Sequence, residues 1–304
     1  MAFACPPRRF PKAKHCRACR SLFETNPPFA PKMIPFVIDN KPPRILDCFK
    51  EIWQRRELLL ILARRDLSVR YKQTFLGIMW VVLQPALTML IFSIVFGRLV
   101  GVPSDGLPYP VFVLCGLVPW QLFAFALTNA SNSLIENERL ITKVYFPRIL
   151  VPLATTLVGL VDFLFAFALL AAACLAYGLP FGPGMLAVPL LALLCLMAAL
   201  ACGLWLAALN VEFRDVRYAL PFAVQVAMYL SPVAYPSSLV PAEWRWLYGL
   251  NPMAGIIDTF RWVLVGGPRP DSAILIPSLV TTVVALSLAV VYFERRQRSF
   301  ADTL

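Results

Sequence analysis

The sequence predicts an all-α protein that crosses a membrane several times, and three observations lead there. Hydrophobic residues fill 59% of the 304 positions and charged residues only 15%, whereas a water-solvated domain carries about a quarter charged. From Phe75 to Phe96 no residue is charged for 22 positions, a helical length of roughly 33 Å that matches one hydrocarbon core. Just ahead stand Arg64, Arg65, Arg70 and Lys72, with Asp66 the only acid among them, a basic anchor of the kind that sits on lipid headgroups.

Taken in order, residues 1–43 are rich in proline and basic side chains and poor in large apolar ones, so they are expected to form a disordered tail. No secretory signal is visible in them. Cys5, His15, Cys16 and Cys19 are suitable zinc ligands, but their spacing matches no second half-site, and a solvated tail is favoured. Translation from Met33 is an alternative start that would remove most of this segment. Residues 44–304 are read as one transmembrane domain. From Arg44 to Leu67, apolar residues including Ile45, Phe49, Ile52, Trp53, Leu59 and Leu60 recur at helical spacing between basic ones. That pattern predicts an amphipathic helix lying in the membrane interface.

Six transmembrane helices follow in this reading: Phe75 to Phe96, Tyr109 to Asn129, Ile149 to Tyr177, Met185 to Leu209, Leu220 to Tyr235 and Ile274 to Phe293. The fifth is short and contains Pro221 and Pro232. After it, Asn251 and Pro252 signal a helix start, and Gly266, Gly267 and Pro268 a stop. A helix of about 14 residues reaches only about 21 Å, so a re-entrant hairpin is expected between spans five and six, with Trp244 and Trp246 at the interface. The formal net charge of +11 is distributed by topology: 24 of the 28 Lys and Arg fall before span one, in the loops after spans two and four, or at the C-terminus. Both termini are therefore expected in the cytoplasm, and a nucleic-acid-binding patch is not. Arg98, Arg245, Arg261 and Arg269 are assigned to the opposite side.

Enzymatic signatures are scarce. The single histidine lies in the tail, so a Ser-His-Asp triad within the spans is excluded, and no GxxxxGK[ST] phosphate loop occurs. Cys115, Cys174, Cys195 and Cys202 fall in apolar runs, where a buried thiol is ordinary. The loop 131–150 alternates Glu136, Glu138, Arg139 and Lys143 with Leu140, Ile141, Val144, Tyr145 and Phe146, then reaches Pro147 and Arg148. A short amphipathic helix ending at Pro147 is predicted, and such a surface awaits a partner or rests on the membrane. The loop after span four repeats the theme with Glu212, Arg214, Asp215 and Arg217. Asp162 lies halfway along span three, where burial costs roughly 2.5–3.5 kcal/mol; a hydrogen bond to a neighbouring span is preferred over contact with a substrate. Trp80, Gln84 and Thr88 stack on span one, as do Gln225 and Tyr229 on span five. These stripes suit a wet pathway, and helix packing explains them equally well.

Four ordered stretches carry a resemblance: RDLSVRYKQTFLGIMWVVLQP at 65–85, ENERLITKVYFPRIL at 136–150, LNVEFRDVRYALPF at 209–222 and NPMAGIIDTFRWVLVG at 251–266. Together they resemble the transmembrane subunit of ABC-2 type exporters of bacterial polysaccharides, over about residues 44–304. The resemblance implies a homodimer in the bacterial cytoplasmic membrane, joined by two copies of a separate ATPase that binds ATP and Mg, and moving a lipid-linked O-antigen, capsule or teichoic acid chain. It assigns ATPase coupling to Glu136, Glu138, Arg139, Lys143, Tyr145 and Arg148, with Glu212, Arg214, Asp215 and Arg217 assisting. The substrate path would hold Trp80, Gln84, Gln225 and Tyr229, with Asp162 as a further candidate; no metal site is expected. The rival expectations are drug or small-lipid efflux by the same architecture, and a membrane enzyme acting on lipid-linked sugars. The latter needs a cluster of acids or histidines near one interface, and none is visible in the sequence.

Overall fold

The computed structural model describes residues 50, 52–72, 78–144, 146–179, 183–213, 215–297 and 300, all within one unit, Pro43–Leu304. Among them every regular element is helical, since backbone in lipid must satisfy its own hydrogen bonds. Helix α1 is Arg56–Lys72 and α2 is Ile78–Phe92, continued by wider π-type turns over Ser93–Val100. Then come α3, Tyr109–Glu136, the short α4, Glu138–Lys143, and α5, Leu150–Ala176. A 3-10 turn at Pro183–Ala187 leads into α6, Val188–Glu212, followed by α7, Asp215–Tyr229. The chain closes through α8, Arg245–Tyr248, α9, Pro252–Val265, and α10, Ser272–Arg296.

Among the described residues five segments are long and apolar enough to cross a membrane: Met79–Val100, Tyr109–Glu136, Leu150–Ala176, Gly184–Glu212 and Ser272–Arg296. They coincide with expected spans one, two, three, four and six. The second runs past Asn129 to Glu136, which carries its last two turns beyond the length a hydrocarbon core needs. The fifth expected span differs. Its helix starts earlier, at Asp215, and stops at Tyr229 after 15 residues, about 22 Å of rise. Leu230 to Tyr235 leave the helix because Pro232 has no N–H to continue it.

Helix α3 is the centre of the bundle. Every residue from Val111 to Trp120 is buried, the mark of a helix that is apolar all round because neighbours cover all of it. Its two main neighbours, α5 and α6, approach closely through small residues. A Cβ added at Gly159 of α5 would lie 2.7 Å from the Phe125 ring, and one at Gly203 of α6 would lie 2.8 Å from Ala130. This is how membrane helices gain contact when no hydrophobic drive separates helix from lipid.

The signals read for α9 form as expected. Asn251 Oδ1 accepts the Met253 N–H at 3.0 Å, Pro252 takes the first turn, and Gly266 adopts φ 65° to end the helix. Helix α9 is stitched to α10 by Ser278, whose hydroxyl accepts the Gly255 N–H at 3.1 Å and lies 3.0 Å from the Gly249 and Asn251 carbonyls.

The expected surface helix Arg44 to Leu67 lies partly outside the described residues. Its described part, α1, runs five residues past the expected end and docks against α5. Leu62 is buried in a second apolar cluster with Leu134, Ile141, Ile149 and Leu150. Cys5, His15, Cys16, Cys19, Met33, Tyr145 and Arg214 lie outside the described residues.

Candidate functional sites at the two ends of the bundle

Helix α3 separates two polar regions by its full length, about 40 Å for 28 residues. At its C-terminal end the chain turns at Asn137 into α4, a single six-residue helix. Glu136, Glu138, Arg139 and Lys143 are exposed there, while Ile141 and Phe146 are buried and fasten the segment to the bundle. The helix ends at Lys143, four residues before the expected stop at Pro147, because Val144 already takes an extended conformation.

Other elements converge on this corner. Arg65 of α1 donates to Asn137 Oδ1 at 2.6 Å and pairs with Asp66 at 2.7 Å. Glu136 lies near enough to Arg217 of α7 and Asp66 to feel both charges, so the two loops singled out in the sequence meet at one end. Glu212, at the end of α6, is held by Arg296 of α10 at 2.7 Å. That arginine also lies over Tyr292, which stacks on Trp205 at 4.6 Å. Asp215 and Arg217 are exposed and Arg148 is half-buried. A cavity of about 390 Å³ opens between Arg65 and residues 135–140.

Asp162 is not a lone acid in lipid. Arg70 of α1 pairs with its Oδ2 at 2.5 Å, and the Tyr71 hydroxyl donates to its Oδ1. The Arg70 guanidinium also lies 4.3 Å from the centre of the Phe125 ring. Burial first, and then the Asp162 carboxylate, push the Tyr71 hydroxyl up to about 12. The carboxylate thus fastens α1 to α5. Its partners come from the basic helix before span one rather than from a neighbouring span. The remaining path candidates are open: Trp80 and Gln84 on α2, and Gln225 and Tyr229 on α7, are all exposed on the single chain. Both helices pack on α3.

The opposite end of α3 holds a site that sequence reading missed. Arg245, Arg261 and Arg269, expected only to share a side, line one cavity of about 140 Å³ with Asp105, Asp258 and Asp271. Asp258 and Arg261 sit on α9 three residues apart with side chains 9% and 5% exposed, their nearest N and O atoms 3.7 Å apart. The available signal was their spacing inside the apolar stripe of 253–264, where a charge one turn from Ala254 or Ile257 faces the core. Asp271 caps α10 through the Ala273 N–H at 2.9 Å and pairs with Arg245 at 2.8 Å. Those two donors hold its carboxyl below the usual range. Among the described residues no cluster of His, Cys, Asp and Glu suits a metal ion.

The ABC-2 type transporter model matches residues 57–265, more than half of the chain and every element from α1 to α9. The chain belongs to the ABC-2 type transporter family. This ABC-2 protein is 30% identical over 258 residues to an O-antigen export system permease protein from Myxococcus xanthus, covering 84% of this chain and 98% of that one. A Klebsiella pneumoniae protein of the same description is 29% identical over 252 residues, 82% and 95% of the two chains. A polysialic acid transport protein of Escherichia coli is 24% identical over 239 residues, 77% and 92% of the two chains. The ABC-2 match begins just inside α1 and ends with α9, so it takes in the α4 corner and the Asp258–Arg261 pair, while Arg269, Asp271 and Arg296 lie beyond it.

Proposed function

We propose that the chain is the permease subunit of an ATP-driven exporter that moves a lipid-linked polysaccharide across the bacterial cytoplasmic membrane. The supporting observation is that relatives described as O-antigen permeases align over 95–98% of their own length, in a chain whose residues 57–265 match the ABC-2 type transporter family. Two copies of the chain work with two copies of a separate ATPase, which binds ATP and Mg.

The corner at Asn137 is the docking surface for that ATPase. Glu136, Glu138, Arg139 and Lys143 present charge to the partner, while Arg65 ties the surface to α1 and Arg217 of α7 lies close to Glu136. A push on α4 therefore reaches two helices at once. The exposed stripes Trp80 and Gln84 on α2, and Gln225 and Tyr229 on α7, line the path between the two protomers. Helix α7 with the turn to Tyr235 makes the sixth crossing, α8 and α9 form a re-entrant hairpin, α1 sits at the cytoplasmic interface, and both termini are cytoplasmic.

Co-expression with the cognate ATPase tests this reading. The wild-type pair restores surface polysaccharide to a strain lacking the permease, and the Glu136→Ala, Arg139→Ala double variant loses both co-purification with the ATPase and export. Complex formation and export at wild-type levels in that variant would count against the docking role. If the wild-type pair instead clears a drug or a small lipid and exports no polymer, the efflux reading of the same architecture replaces this one.

A further inference from the structure

The cavity at the N-terminal end of α3 has a floor that is electrostatically incomplete. Arg261 is fixed on three sides. Its guanidinium lies 3.7 Å from the centre of the Phe112 ring, Nη2 donates to the Val233 carbonyl at 2.9 Å, and Nε points at the Phe112 carbonyl at 3.4 Å. Gly116 permits this closeness: a Cβ there would stand 3.1 Å from Nη2 and 3.0 Å from Val233. With the guanidinium so held, Nη1 is left facing Asp258, 3.7 Å away, too far for a hydrogen bond. Both Arg261 Nη1 and Asp258 Oδ2 are buried without a hydrogen-bond partner. Ser237 lines the same cavity as this carboxylate.

A buried donor and a buried acceptor left open beside a cavity that charged and hydroxyl side chains help to line call for an occupant. The charges narrow its chemistry. At the floor, an anion satisfying Arg261 would meet the Asp258 carboxylate a few ångströms away, and a cation satisfying Asp258 would meet the guanidinium; the rest of the lining carries both signs as well, Asp105 and Asp271 with Arg245 and Arg269. A hydroxyl both accepts and donates, so it bridges the two without a net charge of its own. The cavity, about 140 Å³, holds several waters at roughly 30 Å³ each. A ring bearing adjacent hydroxyls replaces such waters as a group.

We propose that this cavity, floored by Asp258 and Arg261 and bordered by Ser237 and Ser238, binds one neutral pyranose unit of a glycan at the face opposite the α4 corner. The choice of a sugar rests on the polysaccharide-export reading; the demand for a paired donor and acceptor rests on the geometry alone. Position gives the site a function. It lies where α9, the loop before α3 and the start of α10 meet, so a sugar seated there ties the three together at the end of the bundle from which polymer would leave.

Saturation-transfer NMR on the purified full-length chain in lipid nanodiscs tests it, with methyl α-D-mannopyranoside and methyl β-D-galactopyranoside as neutral probes. At least one binds with a Kd of about 1 mM, ordinary for a ligand of a dozen heavy atoms. Inorganic phosphate and methyl glucuronate bind at least about tenfold more weakly, since each places a negative charge beside Asp258. Asp258→Asn weakens the neutral probe about tenfold by removing the charged acceptor. Because that variant also strips Arg261 of its carboxylate and can misfold, Ser238→Trp is the companion: Ser238 is exposed at the mouth, and the indole blocks entry while the melting temperature stays unchanged. No neutral probe bound, tighter binding of phosphate or glucuronate, or binding indifferent to Ser238→Trp overturns the proposal. Polymer export by the wild-type chain is scored separately in cells. Export without probe binding therefore removes this site and leaves the transport reading intact.

Discussion

At the scale of single residues, the polar groups inside this apolar protein are held in place by one another. Arg261 is the deepest cation described here, with a π face beneath it, a carbonyl at Nη2 and a carboxylate across a gap. Arg261→Ala is expected to destabilise the purified chain by about 3–5 kcal/mol, because Asp258 then stays buried without a counter-charge; a lowered melting temperature in detergent checks this. Asp271 supplies a pH dependence. Its folded-state carboxyl titrates below the unfolded value because it accepts the Ala273 N–H and faces Arg245. The stability it contributes is therefore complete above about pH 4 and is lost as pH falls through the folded value. Fluorescence of nearby Trp244 and Trp246 is expected to change on acidification below pH 4 (about the unfolded carboxylate pKa), with the change absent in Asp271→Asn.

At the scale of elements, α1 is decided by a contact its own sequence does not display. Its basic residues suit a headgroup layer, yet Arg70 and Tyr71 turn to Asp162 of α5 and Arg65 to Asn137. Asp162→Asn is expected to release α1 from α5. Faster proteolysis within Arg56–Lys72 would report it, while thermal unfolding of the remaining bundle moves little. The α3 crossings behave differently, because there the close approach is set by missing side chains. Gly203→Leu forces a branched side chain onto Ala130, 2.8 Å from where its Cβ would stand. It is expected to cost more than Gly203→Ala, by about 1–3 kcal/mol for overpacking, read as a further drop in melting temperature.

At the scale of the whole molecule, the proposed topology puts the two polar ends on opposite faces of the membrane. Single cysteines placed at Lys143 and at Arg269 test this in intact cells with an impermeant maleimide. Arg269→Cys is expected to be labelled, and Lys143→Cys to be labelled only after the cells are opened; the reverse pattern would invert the topology. Much of the frame was legible in the chain. Long uncharged runs read as spans because charge in lipid is so unfavourable, and the five membrane-length helices occur where those runs lie. Helix α9 was legible from its Asn-Pro start and Gly-Gly-Pro stop. The segment Leu220 to Tyr235 was less so, since its helix begins at Asp215 and yields near Pro232.

Composition, hydrophobic runs and caps act over a turn or two of helix, and by themselves they determined that this protein lives in a bilayer, where most of its helices begin and end, and which loops carry charge. Which charges meet was decided only by the tertiary structure. Arg70 and Asp162 are 92 positions apart, and Asp105 joins Asp258 and Asp271 in one cavity across more than half of the chain. No local pattern records such pairings. They follow from helices crossing a central α3 at angles and depths that the summed packing of every neighbour fixes.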